Sequence, residues 1–266
     1  MYFWVGNLGC IILGGTGCGL AALAFASQAI VAPLGGLTIV WNLVLSGGGN
    51  RTQMMASLIT LLGMSLVVWF GPGEGLSKPA VGTGPFVIFT LPRFQVLGVL
   101  YCGVSLGLES AKINMGLNKS TRRVAASAVG GVVGGLSNVF AKSAVEFYSS
   151  KRTRETVGGE QDYVSFCLVA AIALLLAGTQ IALFNQALAS FPVAHVVPVY
   201  MTSLMLSSTL SGGVAFDEFR DFSLARCLGF TCAMLVCVMG VAFLSFSSSS
   251  SLSPSSLSPG DEESKD

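Results

Sequence analysis

ALAFASQAIVAP (residues 22–33) and ALASFPVAHVVP (residues 187–198) have the same length, agree at six of twelve positions and both close on a proline. They begin 165 residues apart. Each lies across the junction of two apolar segments, and the number of segments between the copies decides the fold.

The 266-residue chain is 52% hydrophobic and 10% charged, with a mean hydropathy of +0.74. Soluble domains carry about 25% charged residues. No single core could hide this much apolar surface, so the chain must be solvated by lipid. The net charge of +1 argues against a nucleic-acid partner. The seven cysteines sit in apolar stretches without any C-x-x-C pair. They read as small apolar side chains, neither a disulfide framework nor a zinc site. The start, MYFWVGNLGCIILGG, lacks a basic leader region and reads as a spanning helix rather than a signal peptide.

A spanning helix needs about 20 apolar residues. Eight segments qualify, near 2–25, 28–46, 53–71, 94–111, 124–147, 163–188, 192–216 and 223–246. The connections at 26–27 and 189–191 are short enough to make their flanking helices tight antiparallel neighbours. Residues 72–93 (GPGEGLSKPAVGTGPFVIFTLP) are Gly- and Pro-rich and read as a loop. Residues 1–246 are expected to form the membrane domain, with halves near 1–112 and 124–246. Residues 247–266, rich in Ser and Pro, are expected to be a disordered tail.

The first copy joins segments one and two, and the second joins segments six and seven. An offset of five segments is odd, so the copies face opposite ways across the bilayer. That is the trace of an inverted-topology repeat, an architecture common among secondary transporters. The expected fold is all-α, a polytopic bundle of about eight transmembrane helices. A complete repeat would have ten, the first and the last being absent here.

Ionisable residues inside spanning helices are costly and therefore functional candidates. Lys142 and Glu146 are spaced i, i+4 and share a helix face, where they can neutralise each other. Lys142 either faces a central cavity or forms, with Glu146, a self-satisfied helix end. Glu109 reads as interfacial. His195, the only histidine, reads as a packing or hydrogen-bonding residue. Asn42, Asn138, Thr179, Gln180, Asn185, Gln186 and Tyr200 either glue helices together or line a pore, and of these Asn185 and Tyr200 are the expected cavity oxygens of a transport path. Pro33 and Pro198, at matching places in the two copies, each free the carbonyl one turn earlier. Such a carbonyl can face a cavity and coordinate a cation, or simply mark a kink. The run GGVVGG makes two overlapping G-x-x-x-G faces, Gly130/Gly134 and Gly131/Gly135, for packing within the bundle or in a homodimer. No nucleophile–base pair, phosphate loop or enzyme-type metal cluster is visible, so neither an enzyme nor a bound cofactor is expected.

Four stretches carry a family resemblance. ALAFASQAIVAPLGGLTI (22–39), AVGGVVGGLSNVFAKSAVEF (128–147), NQALASFPVAHVVPVY (185–200) and FDEFRD (216–221) resemble, in order, motifs of the NIPA-type magnesium transporters. That family belongs to the EamA-like part of the drug/metabolite transporter superfamily. The resemblance implies an inverted-repeat transporter fold, Mg²⁺ or a related divalent cation as substrate, and Lys142 as the family's single intramembrane lysine. It also implies nine helices, hence one N-terminal helix fewer in this chain. The family has an acid near the positions of Gly15 and Thr16, and a Glu in the loop that here reads SGGGNRTQ (46–53). Mg²⁺ prefers hard oxygen ligands and usually keeps one or two carboxylates, so these departures bear on the ion more than on the fold. The expected location is integral and multi-pass, in the plasma or an endosomal membrane, with a cytoplasmic C-terminus by resemblance. The Lys/Arg balance between the two sides does not fix orientation, and glycan on the sequons at Asn50 or Asn118 would reverse it. The other readings are a carrier of a small organic solute, which needs a wide apolar pocket, and a transport-inactive scaffold with a tail phosphorylated at Ser253 or Ser258.

Overall fold

The computed structural model describes residues 22, 28, 30–31, 51–71, 92–114, 116, 118–153, 160–191, 193–220 and 222–250. Among these residues the fold is all-helical, with no strand. The helices are α1 (Arg51–Phe70), α2 (Pro92–Ile113), α3 (Lys119–Thr153), α4 (Glu160–Ser190), α5 (Val193–Ala215) and α6 (Leu224–Ser250). They correspond to the third through eighth apolar segments. Of the first two segments, Ala22, Gln28, Ile30 and Val31 are described, and all are helical. The last helix runs to Ser250, past the expected boundary near 246. Among the described residues, five helical stretches are long and apolar enough to cross a membrane, and they lie in α1, α2, α3, α4 and α6. α5 is 23 residues long and carries six serines and threonines.

That composition matches its place. α5 packs most extensively against α3, and touches α2, α4 and α6 as well. α3 and α5 meet through GGVVGG. A Cβ on Gly131 would lie 2.6 Å from the Tyr200 carbonyl oxygen, and one on Gly135 would lie 2.6 Å from the Ser208 backbone nitrogen. The other face turns to α4, where a Cβ on Gly134 would come within 2.5 Å of the Gln180 side chain. Both glycine faces are therefore used inside the chain. Close approach lets side chains reach across. Ser207 donates to the Gly131 carbonyl at 2.9 Å, and Ser211 donates to the Gly135 carbonyl at 3.2 Å. Without water, such groups must be satisfied internally.

The second tight pair is α1 with α6. Glycine again sets the spacing: Gly63 lies against Cys237, and Gly240 against Thr60. Around them Met64, Val67, Phe230, Ala233, Met234 and Cys237 form an apolar core. On the outside, α4 exposes Leu168, Leu174 and Leu175, and α2 exposes Val96, Val99 and Leu100. These are the faces that lipid solvates.

Candidate functional site

The sequence SGGVAFDEFRD (211–221) ends α5 and builds the site's key corner. Asp217 adopts a left-handed conformation, φ 57°. Short polar Asp tolerates this better than most non-glycine residues. The following N–H, that of Glu218, turns back to the Gly213 carbonyl at 3.1 Å. This is the six-to-one bond of a Schellman cap. Gly213 makes room for it, because a Cβ there would meet the Phe219 ring at 1.8 Å. Phe219 then packs edge-on against Phe222 at 5.4 Å and tilted against Phe230 at 5.5 Å. The cap folds Glu218 inward rather than out to the interface.

Lys142 of α3 meets it there. Its Nζ lies 2.6 Å from Glu218 Oε1 and 3.7 Å from Glu146 Oε1. The Phe216 ring covers the ammonium at 4.4 Å, a favourable cation–π position. Lys142 is 1% exposed, Glu218 2% and Glu146 21%. Lys142 is thus held by two carboxylates, the nearer of which is not the i, i+4 partner. A buried ammonium within direct reach of carboxylates avoids the penalty of an unpaired charge.

Gln28 completes the cluster. Its backbone N–H donates to Glu218 Oε1 at 3.0 Å, and its side-chain amide donates to the Ser208 carbonyl and hydroxyl oxygens at 3.1 and 3.0 Å. Asn138, one turn before Lys142, donates to the same Ser208 hydroxyl at 3.1 Å. The cluster therefore ties together α3, α5, the corner after α5 and the segment containing Gln28. It carries one cation against two carboxylates, a formal charge of −1.

Tyr200 stands eight residues before Ser208, about 12 Å along α5. Its hydroxyl accepts a hydrogen bond from Gln180. Its ring lies 4.3 Å from Phe184. Pro198 is buried within α5, and its carbonyl accepts the Thr202 hydroxyl at 2.8 Å. Asn185 is exposed on α4. Its neighbour Gln186 accepts from Lys112 at 2.8 Å. Lys112 also pairs with Glu109 at 3.2 Å, and both are partly exposed. Pro33, Asn42, Asn50, Gly15, Thr16, Ser253 and Ser258 lie outside the described residues, as does the side chain of His195.

Reading the sequence from its spanning segments missed Glu218, Gln28 and Ser208. Glu218 falls in a connection rather than a span, although it belongs to one of the family-like stretches. The available signal was Lys142 itself, since a buried ammonium calls for a close carboxylate and Glu146 stands one turn toward the helix end. Among the described residues, no three His, Cys, Asp or Glu side chains converge as a metal-binding group.

Long apolar helices around a buried, compensated ion pair define a multi-pass integral membrane protein. Residues 1–248 match the family model described as Magnesium transporter NIPA. The chain belongs to that family, and is a member of a membrane transporter family. No curated protein and no solved structure matches it.

Proposed function

We propose that this protein carries Mg²⁺ or a closely related divalent cation across the membrane, through a passage between two inverted halves of an eight-helix bundle. Family membership supports the substrate class. The observation that carries the reading is the cluster at Lys142, Glu146 and Glu218. It places a net negative formal charge inside the bundle while keeping Lys142 compensated. A bare lysine would repel a cation; a lysine bound by two carboxylates does not bar the way.

The inverted arrangement has support in the position of Gln28. Gln28 opens the second apolar segment, as its counterpart in the later copy, Val193, opens α5. Yet Gln28 touches Ser208 and Gly212, toward the far end of α5. Ser208 is fifteen residues, about 22 Å, along α5 from Val193. Equivalent segments that begin at opposite depths are what inversion requires. The packing of α1 against α6, the third and eighth segments, fits a pseudo-two-fold axis between counterparts. In this reading Pro33 and Pro198 are backbone-exposing kinks, Asn185 and Tyr200 are path oxygens, and Lys142 with Glu146 sets the potential of the passage.

The test is uptake by liposomes holding the purified protein. Mg²⁺ is assayed beside a panel of small organic solutes. The proposal expects Mg²⁺ entry above protein-free liposomes. Entry of an organic solute alone would replace it.

A further inference from the structure

Gln28, in the buried cluster, and Thr209, the residue after Ser208 on α5, each carry an oxygen that the ion pair does not use. Gln28 Oε1 and Thr209 Oγ1 are inaccessible and have no hydrogen-bond partner among the described residues. Buried polar atoms are nearly always partnered, so each of these orphans calls for an explanation. Gln28 is fully buried, at 0% exposure. Its side chain lies flat against Gly212, where a Cβ would come within 2.8 Å. Thr209 stands on the same stretch of α5, about 60° around the helix from Gly212 and about 100° from Ser208. Its side chain is buried too. With Glu218 these groups supply only oxygen donors, the set that a hard divalent cation takes.

The charge that now faces Glu218 belongs to the protein. Lys142 Nζ sits 2.6 Å from Glu218 Oε1, and a second carboxylate, Glu146, waits 3.7 Å away on the more open side. The lysine stem has four flexible carbons, enough to shift its ammonium from one carboxylate toward the other. We infer that Lys142 is a tethered counter-ion: it holds Glu218 when no substrate is present, and moves toward Glu146 when a divalent cation binds Glu218, Gln28 Oε1 and Thr209 Oγ1. This rests on the cation reading above and deepens it. The exchange keeps the ammonium paired throughout, which removes the penalty that a lone buried charge would impose. It also explains why two carboxylates flank one lysine, and why the outer one is the more exposed.

The test is a Mg²⁺ titration of thermal unfolding, on the full chain in detergent. Lys142→Met removes the competitor while keeping the volume. Its half-stabilising Mg²⁺ concentration falls about tenfold or more, the least expected when a unit charge is removed within a few ångströms of a divalent ion at intermediate dielectric. An unchanged or raised value overturns the inference. Thr209→Val keeps the shape and removes one oxygen; its half-point rises several-fold. If Lys142→Met does not yield folded protein, Thr209→Val decides, and a half-point equal to that of the wild type overturns the inference. Mg²⁺ uptake by the same preparations is read separately. Wild-type protein that binds Mg²⁺ without uptake sinks the transport reading, while the half-point shifts still decide the counter-ion.

Discussion

Two helix pairs in this molecule are packed by the same device and to different ends. α1–α6 and α3–α5 both use glycines to bring backbones together. The first pair surrounds its contact with Met, Val, Phe and Cys. The second fills its contact with hydroxyls that donate to Gly131 and Gly135, and ends in the Lys142–Glu218 pair. In lipid, polar groups between helices contribute only about 0.6 kcal/mol each on average, so packing alone does not call for them. The dry pair shows what suffices to hold the bundle together. In the proposed function, the excess polarity of the wet pair is where the cation is handled.

The largest expected effect attacks that difference directly. Lys142→Met leaves Glu218 buried without its ammonium and destabilises the protein by about 3–5 kcal/mol. The double variant Lys142→Met/Glu218→Gln recovers most of that loss, because neither charge is then stranded. Unfolding in detergent, followed by circular dichroism at low Mg²⁺, measures both. A double variant as unstable as the single one would mean that the pair does not carry the coupling.

Next come the glycines. Gly135→Val and Gly63→Val should each cost about 3 kcal/mol by overpacking, since a Cβ meets backbone nitrogen at 2.6 Å in both places. Equal losses on the same unfolding assay would confirm that the two pairs share a packing device. A mild effect at Gly135 alone would show the wet interface to be looser than the dry one.

Smaller again, Ser207→Ala and Ser211→Ala should each cost about 0.6 kcal/mol. Losses of several kcal/mol would make the hydroxyl bonds structural and narrow the contrast. The smallest effect belongs outside both pairs. Gly103 and Gly107 on α2 face open space, so Gly103→Ala and Gly107→Ala should stay within about 0.5 kcal/mol of wild type.

How much of this was legible beforehand follows from the physics of each feature. α3, α4 and α6 announce themselves because a bilayer of fixed thickness demands about 20 apolar residues. Lys142 and Glu146 are legible as neighbours because helical periodicity alone puts i and i+4 on one face. GGVVGG is legible as a packing surface, but not its partners. Those depend on which helices the fold brings alongside, here α5 on one face and α4 on the other. Lys142 called for a carboxylate, but spacing could not single out Glu218, because its burial is made by a left-handed Asp217 and a Gly213 that admits Phe219. Gln28 reaches Ser208 across 180 residues, a separation at which sequence pattern carries no distance information.

The most direct measurement is Mg²⁺ uptake by liposomes carrying the wild type and, in parallel, Glu218→Gln, with protein content matched. The account predicts uptake by the wild type and a loss of about tenfold or more in the variant, a carboxylate near the ion being worth at least that at intermediate dielectric. Uptake by Glu218→Gln at the wild-type rate would contradict it.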